Sequence, residues 1–252
     1  MSIAAYVLVF VLGCAIGSFL NVLIIRIPKD ESVAFPASHC VHCNTPLKPW
    51  HNIPVVSWLF LRGKCAFCGG PISVQYPLVE LLSGIVFLAV FLKLGITLPA
   101  LGVAVAFLLL LTLSVIDFYH KMVPDSLNLS ALTLAIISAY TLPMLVDNFV
   151  NALIFAGGFS LLRFYLSYII KKEAMGEADI MIAATMGALL GIKLTLAAIF
   201  ISAVLALPAM LLLRNETEES KQVPFIPFLA MATWIVYMFD TPINDYLGAL
   251  YG

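Results

Sequence analysis

The chain has 252 residues, of which 62% are hydrophobic and 11% are charged, and its formal net charge is −1. Its mean hydropathy is +1.06. Soluble domains carry about 25% charged residues, so this composition excludes an ordinary soluble protein. We expect an all-α polytopic membrane protein embedded in the lipid bilayer.

Hydropathy predicts about eight transmembrane helices. They lie at about residues 3–25, 75–92, 97–116, 127–146, 149–169, 180–191, 194–213 and 224–240. The first is too long for the apolar part of a signal peptide, and no basic region precedes it, so we interpret it as a retained span. Residues 180–213 as one helix would be about 51 Å long, against a bilayer core of about 30 Å. We therefore expect a break at Gly191–Lys193.

The basic residues predict the orientation in the membrane. With the N-terminus outside, ten fall on the cytoplasmic side and two, Lys93 and Lys193, fall outside, while Arg163 lies within a span. This asymmetry agrees with the positive-inside rule. The ten are Arg26, Lys29, Lys48, Arg62, Lys64, Lys121, Lys171, Lys172, Arg214 and Lys221.

Four cysteines lie in the only long polar stretch, as two Cys-x-x-Cys pairs: Cys40, Cys43, Cys65 and Cys68. This spacing predicts a structural zinc site in a zinc-ribbon-like module. His39, His42 or His51 could replace a cysteine, but four thiolates already complete such a site. A cytoplasmic location keeps thiols reduced and favours metal over disulfide. The module lacks the basic stripe of a nucleic-acid-binding protein, so we expect no nucleic acid partner.

These features predict three parts in the chain. Residues 1–27 form a first span, residues 28–73 form the cytoplasmic zinc module, and residues 74–252 form a transmembrane body. The fifth cysteine, Cys14, stands alone in the first span, and we interpret it as a packing residue.

Three acidic residues lie at or within apolar segments, where charge is costly and usually functional: Glu80, Asp117 and Asp179. Asp117 and Asp179 both fall at the cytoplasmic boundary. Two carboxylates brought together there could act as base and acid around one water. Spacing alone leaves open that each residue only ends or begins a helix at the interface.

The motifs resemble those of the bacterial prepilin peptidases, a family of intramembrane aspartyl peptidases. The similarity extends from Gly13 to about Gly191. It includes Gly17–Val22 with Arg26–Pro28, the two cysteine pairs, Ile53–Trp58, Arg62–Cys65, Ile72–Ser73, Tyr76–Glu80, Ile116–Asp117, Val123–Asp125 and Gly176–Asp179. The last of these is similar to the Gly-x-Gly-Asp motif, except that Ala178 stands where the second glycine would be.

The resemblance implies an endopeptidase of the bacterial inner membrane that removes the leader of type 4 prepilins or pseudopilins on the cytoplasmic side. Asp117 and Asp179 would be catalytic, with Gly176, Ala178, Asp125 and Glu80 in supporting roles. The resemblance also implies methylation of the new N-terminus with S-adenosylmethionine. The sequence shows no glycine-rich nucleotide loop, so the residues that bind this cofactor stay unassigned.

Alternative functions are a peptidase without methyltransferase activity, a proton-coupled transporter and a non-catalytic zinc-bearing scaffold. A transporter usually shows repeated halves with matching broken helices, and the sequence has no internal repeat. No Gly-x-Ser-x-Gly or His-Glu-x-x-His motif indicates another hydrolytic chemistry.

Overall fold

The computed structural model describes residues 3–173, 175–212 and 224–251, and these residues are predominantly helical. They fall into two compact units, Met1–Ile96 and Thr97–Gly252. The α-helices of the described residues are α1 (Ile3–Arg26), α2 (Val56–Phe60), α3 (Gln75–Leu94), α4 (Leu98–His120), α5 (Asp125–Ile137), α6 (Leu142–Ile170), α7 (Glu177–Leu212), α8 (Ile226–Met238) and α9 (Asp240–Tyr251).

The first unit is built on α1 packed against α3. Glycines make this approach close, because a Cβ atom on Gly17 would lie 2.8 Å from Cα of Glu80, and one on Gly13 would lie 2.9 Å from Cα of Gly84. Gly13 and Gly17 are four residues apart and so lie on one face of α1. This small-residue spacing is common where membrane helices pack backbone to backbone.

The segment between α1 and α3 forms two similar hairpin turns around the cysteine pairs. Cys40 N–H donates to Thr45 O at 3.0 Å in the first turn, and Cys65 N–H donates to Gly70 O at 2.8 Å in the second. Asn44 and Gly69, each directly after the second cysteine of a pair, both have positive φ. The segment also contains α2 and two short 3₁₀ turns, Ile27–Lys29 and Pro49–Asn52.

In the second unit, α4 and α6 begin with the same local sequence, Thr-Leu-Pro. Thr97 accepts a hydrogen bond from Ala100 N at 3.2 Å, and Thr141 accepts one from Met144 N at 3.4 Å. Threonine at the N-cap followed by proline in the first turn is a strong helix start signal. The start signal at Thr141 shows that the predicted boundary between segments 127–146 and 149–169 is wrong. Helix α5 already ends at Ile137, and α6 runs unbroken from Leu142 to Ile170.

Helix α7 is interrupted where the sequence predicts a break. Gly191 has φ 71° and ψ 179°, which are not helical values. The Thr195 hydroxyl donates to Gly191 O at 2.6 Å and to Met186 O at 3.1 Å. It thereby satisfies carbonyl groups at the break, as a helix interrupted within a membrane requires. The predicted break at Gly191–Lys193 is confirmed.

Five helices of the described residues are long and apolar enough to cross a membrane, or six if the pair formed by α8 and α9, bent by 83°, counts as one span. The predicted count of about eight is not confirmed. One reason is length: α5 and α8 have 13 residues each, about 20 Å, whereas a bilayer core is about 30 Å thick. Another reason is that the two predicted segments 180–191 and 194–213 both belong to the single helix α7. The last residue of the second segment, 213, lies outside the described residues.

Candidate active site and metal centre

Asp117 lies in the last turn of α4 and is buried, with 8% of its surface exposed. Its Oδ2 atom accepts a hydrogen bond from the backbone N–H of Ile226 at 3.2 Å. Ile226 is the first residue of α8, so the positive end of that helix lies beside the carboxylate. A helix more than a hundred residues away in sequence therefore helps to hold Asp117.

Asp179 lies in the first turn of α7, close to the cytoplasmic boundary expected from the sequence. Its Oδ2 atom accepts a hydrogen bond from Gly176 N–H at 3.2 Å, and the side chain is half-buried. This is the return bond of a capping box, in which the third helical residue satisfies the N–H of the N-cap. Arg163 of α6 pairs with Glu177 at 3.0 Å and so joins α6 to the start of α7.

The two aspartates belong to the same unit. The helices around them pack together: α5 contacts both α4 and α7, and α8 contacts both as well. The helices that carry Asp117 and Asp179 thus belong to one packed group, and the closeness of the two carboxylates stays a prediction. Two carboxylates brought together, one of them buried, can act as base and acid at one water.

A buried asparagine that the sequence analysis did not select lies next to the second motif. Asn128 of α5 is 0% exposed and donates from Nδ2 to Ala178 O at 3.2 Å. Its Oδ1 atom has no hydrogen-bond partner among the described residues. The sequence feature that could have indicated Asn128 is its position as a polar residue within an apolar helix, one turn after Asp125. This bond fixes the backbone directly before Asp179.

The supporting residues inferred from the resemblance lie in different places. Gly176 and Ala178 flank the start of α7, and a Cβ atom on Gly176 would meet Asp179 Oδ2 at 3.4 Å, an ordinary contact. Asp125 begins α5 and is exposed. Glu80 belongs to the other unit, where it is 7% exposed and accepts a hydrogen bond from Val55 N at 2.7 Å.

The four cysteines of the two turns form one cluster. The Sγ atoms of Cys40, Cys43, Cys65 and Cys68 all lie within 4.8 Å of one another, and those of Cys40 and Cys68 are 3.9 Å apart. Tetrahedral zinc with bonds of about 2.3 Å separates its sulfur ligands by about 3.8 Å. The cluster therefore fits a tetrahedral metal ion without large movement.

The hydrogen bonds around the sulfur atoms also suit thiolate ligands. The N–H groups of His42 and Phe67 each point at the first cysteine of a pair, at 3.4 Å in both turns. Hydrogen bonds with Thr45 lower the pKa of the Cys43 thiol to about 6, and backbone hydrogen bonds at Cys68 and Phe67 lower the pKa of Cys65. Because metal ligands must be deprotonated, these contacts favour binding near neutral pH.

A backbone hydrogen bond from Gly70 lowers the pKa of Cys68, but desolvation and the neighbouring thiols outweigh it and raise that pKa to about 11. The Cys68 thiol therefore carries its proton at neutral pH. A bound cation would displace it, since metal coordination deprotonates a thiol. His42 approaches Pro71 O at 3.3 Å, and His39 approaches Ala37 O at 3.0 Å, while the metal cluster of the described residues contains the four cysteines alone.

The fold and the site together define a multi-pass membrane protein with an aspartate pair and a four-cysteine cluster. Comparison with protein families gives two matches: the Bacterial Peptidase A24 N-terminal domain over residues 11–94 and the Type IV leader peptidase family over residues 104–211. The first match contains the cysteine cluster, and the second contains both aspartates. The chain belongs to the type IV leader peptidase family.

Curated relatives carry the same name, "Prepilin leader peptidase/N-methyltransferase". The protein of Xanthomonas campestris pv. campestris is 33% identical, over 93% of this chain and 91% of its own length. The protein of Aeromonas hydrophila is 35% identical, over 94% of this chain and 91% of its own length. The protein of Myxococcus xanthus is 40% identical over 73% of this chain, which spans 56% of that relative. No solved structure matches significantly.

Proposed function

We propose that this protein is a membrane-embedded aspartyl endopeptidase that removes the leader of type 4 prepilins or pseudopilins and then methylates the new N-terminus. The observation that carries the proposal is that Asp117 and Asp179 lie on helices of one packed unit, in which α5 and α8 each contact both α4 and α7. Membership of the type IV leader peptidase family and the names of the relatives support it. The substrates belong to type IV pilus or type II secretion systems.

In this proposal the aspartates divide the work of one hydrolysis. One carboxylate accepts a proton from water, whose oxygen attacks the scissile carbonyl, and the other, protonated, donates its proton to the leaving nitrogen. The carbon–nitrogen bond breaks and yields a carboxylate on the leader and an amine on the pilin. The hydrogen bonds from Ile226 to Asp117 and from Gly176 to Asp179 keep the carboxylates oriented.

Other residues near the pair would act by positioning. Asn128 and Gly176 hold the backbone and side chain around Asp179. Asp125 begins the helix that carries Asn128, and we assign it the same supporting role. Ala178 replaces the second glycine of the motif, and its half-buried position leaves room for one methyl group.

We further propose a membrane arrangement. The N-terminus lies outside, the zinc module and the aspartate pair lie on the cytoplasmic side, and the membrane is the bacterial inner membrane. The excess of lysine and arginine in the segments assigned to the cytoplasm supports this orientation. This orientation requires that α5 and α8, although shorter than the bilayer core, and each half of α7 cross the membrane as separate spans.

The cysteine module would hold a structural zinc ion through Cys40, Cys43, Cys65 and Cys68. A zinc-ordered module can shape the surrounding backbone, since binding and folding of such modules are coupled. S-adenosylmethionine is the methyl donor that we propose for the second activity. Methylation requires that the new N-terminal amine reach this donor.

Incubation of membranes containing the protein with a purified prepilin tests the proposal against the transporter alternative. We expect leader release that stops when Asp117 and Asp179 are both replaced by asparagine. Proton-coupled uptake of a solute without any cleavage would instead establish a transporter. Leader release without methyl transfer in the presence of S-adenosylmethionine would identify a peptidase that lacks the second activity.

A further inference from the structure

The short helix α2 of the first unit exposes its apolar face. Val56, Leu59 and Phe60 are spaced three and four residues apart, so they lie on one side of this helix. All three are exposed, Phe60 to 85% and Leu59 to 60%. Trp58 is half-buried instead and donates from Nε1 to Ile72 O at 3.1 Å, which ties α2 to the module.

An exposed indole ring lies beside α2. The 3₁₀ turn Pro49–Asn52 contacts α2 and carries Trp50, which is 59% exposed. We call Trp50, Val56, Leu59 and Phe60 together the α2 surface. Adjacent exposed apolar side chains, unlike single scattered ones, indicate a surface that contacts a protein or a membrane.

The two membrane helices of this unit place the module at one membrane surface. Helices α1 and α3 are both long and apolar enough to span a membrane. Gly17 of α1 faces Glu80 of α3. Gly13, one turn earlier, faces Gly84, one turn later, so the two helices run antiparallel. Residues 27–74 therefore leave the membrane and return to it at the same face.

A hydrogen bond fixes the level of α2 relative to that face. Helix α3 has 20 residues and is about 30 Å long, which equals the thickness of a bilayer core, so its first turns lie at the membrane surface. Val55, directly before α2, donates to Oε2 of Glu80, the sixth residue of α3, at 2.7 Å. The start of α2 thus lies level with the membrane surface rather than far out in water.

The charged side chains around the α2 surface are basic. Residues 32–79 contain Lys48, Arg62 and Lys64 but no aspartate or glutamate. All three are exposed, and Lys48 Nζ lies 5.3 Å from the centre of the Trp50 ring. Tryptophan is enriched at the membrane interface, and basic side chains are attracted to anionic lipid headgroups. This charge complements a bilayer surface and distinguishes it from a purely apolar protein partner.

We propose that the α2 surface binds an anionic lipid bilayer. Leu59 and Phe60 enter the headgroup region together with the Trp50 ring, while Lys48 and Arg62 face the lipid phosphates. The module is then held on the membrane by its own side chains as well as by α1 and α3. This inference rests on the membrane-spanning character of α1 and α3, and it is independent of the peptidase and methyltransferase activities.

Photocrosslinking of the full chain in lipid vesicles tests this contact. The protein carries p-benzoylphenylalanine in place of Phe60, and the vesicles contain phosphatidylcholine and radiolabelled phosphatidylglycerol. Illumination should attach labelled lipid to residue 60. The same probe in place of Val41 is the matched control, because Val41 is 71% exposed in the first cysteine turn, outside the α2 surface. It should attach clearly less lipid.

Charge variants test the anionic part of the proposal. Arg62→Gln combined with Lys64→Gln should lower the attachment of phosphatidylglycerol at residue 60 about threefold or more, because each basic side chain adds to the attraction of the surface. Lys172→Gln, at an exposed position of the second unit, should leave it unchanged. About 1 M salt, at which the Debye length is about 3 Å, should lower the attachment in the wild type but hardly further in the double variant. An unchanged melting temperature in detergent checks that each variant is folded.

Fluorescence quenching by brominated lipids gives an answer without a probe at position 60. The loss of fluorescence in vesicles should be larger for the wild type than for Trp50→Phe, since the difference reports Trp50. Equal losses for the two proteins, or a probe at position 60 that attaches no lipid, would overturn the proposal. Crosslinking of that probe to a second copy of the chain or to a prepilin, in preference to lipid, would assign the α2 surface to a protein partner and would overturn it as well.

Discussion

Asp117 and Asp179 are held by backbone donors that come from very different sequence distances. Gly176 N–H is three residues from Asp179, whereas Ile226 N–H is 109 residues from Asp117. The first contact is a local consequence of helix capping. The second exists only because α8 packs against α4. Changes at the start of α8 should therefore affect catalysis although they lie far from the motifs.

The alanine that replaces the motif glycine gives a prediction at the residue scale. Ala178→Val adds bulk at a half-buried position whose carbonyl receives the hydrogen bond from Asn128 at 3.2 Å. We expect it to shift Asp179 and slow leader removal, since a displacement of about 1 Å can cost about a hundredfold in rate. Ala178→Gly should retain or raise the rate. Cleavage of a prepilin in membranes, at matched protein abundance, measures both.

Equal cleavage rates for the glycine, alanine and valine forms would contradict this account of position 178. That result would mean that the side chain does not affect the placement of Asp179. It would also weaken the interpretation of Gly176–Asp179 as a variant of the peptidase motif.

Several residues of the candidate active site and metal centre could be predicted from the sequence, because they belong to short motifs with a characteristic spacing. Asp117, Asp179 and the four cysteines belong to this group. Asn128 and Ile226 were missed, since a hydrogen bond to a distant backbone group has no local pattern. The same reason applies to the contact between Glu80 and Val55, which joins α3 to the module 25 residues before it.

At the scale of elements, the contact between α1 and α3 depends on the absence of side chains. A Cβ atom on Gly17 would lie 2.8 Å from Cα of Glu80 and from Cβ of Ser83, closer than real atoms approach. Because backbone cannot move aside easily, Gly17→Ala should destabilise the unit by about 1–3 kcal/mol despite the better helix propensity of alanine. Thermal unfolding in detergent measures this change.

Gly157→Ala in α6 is the matched control, since a Cβ atom there would meet nothing within 4 Å. Its melting temperature should stay the same or rise slightly, because alanine favours helix by about 1 kcal/mol. Equal melting temperatures for the two variants would show that α1 and α3 are not in backbone contact at Gly17.

Helix boundaries were predicted well where a breaking residue stood within the apolar run and poorly where hydropathy was the sole guide. Gly191 interrupts α7 as expected, because glycine readily takes positive φ. The end of α5 at Ile137 was missed, although Thr141 and Pro143 repeat the start signal of α4 at Thr97 and Pro99. Hydropathy averages over such signals, since the residues on both sides are apolar.

For the whole molecule, the cysteine module predicts a dependence on metal. Purified protein should contain about one zinc per chain, and the double variant Cys40→Ser and Cys65→Ser should contain none. The module between α1 and α3 contains no long helix or strand, so loss of the metal should leave it sensitive to proteases. Elemental analysis and limited proteolysis together measure this.

Cys14→Ala is the control for the metal prediction, because Cys14 is buried in α1 and lies outside the cluster. It should keep its zinc and its protease resistance. A protein without stoichiometric metal whose module still resists proteolysis would contradict the zinc assignment. A disulfide between the cysteine pairs would contradict both the metal and the cytoplasmic location.

Mass spectrometry of a prepilin co-expressed with this protein tests the central claim, that Asp117 and Asp179 form the catalytic pair. With the wild type we expect a pilin without its leader that carries one added methyl group. Asp117→Asn and Asp179→Asn should each slow leader removal by about a hundredfold or more and leave prepilin at full length, because an amide can neither accept nor donate the required proton. Asp147→Asn, at an exposed position of α6, should behave as wild type. Near-normal leader loss with either catalytic variant would contradict the account.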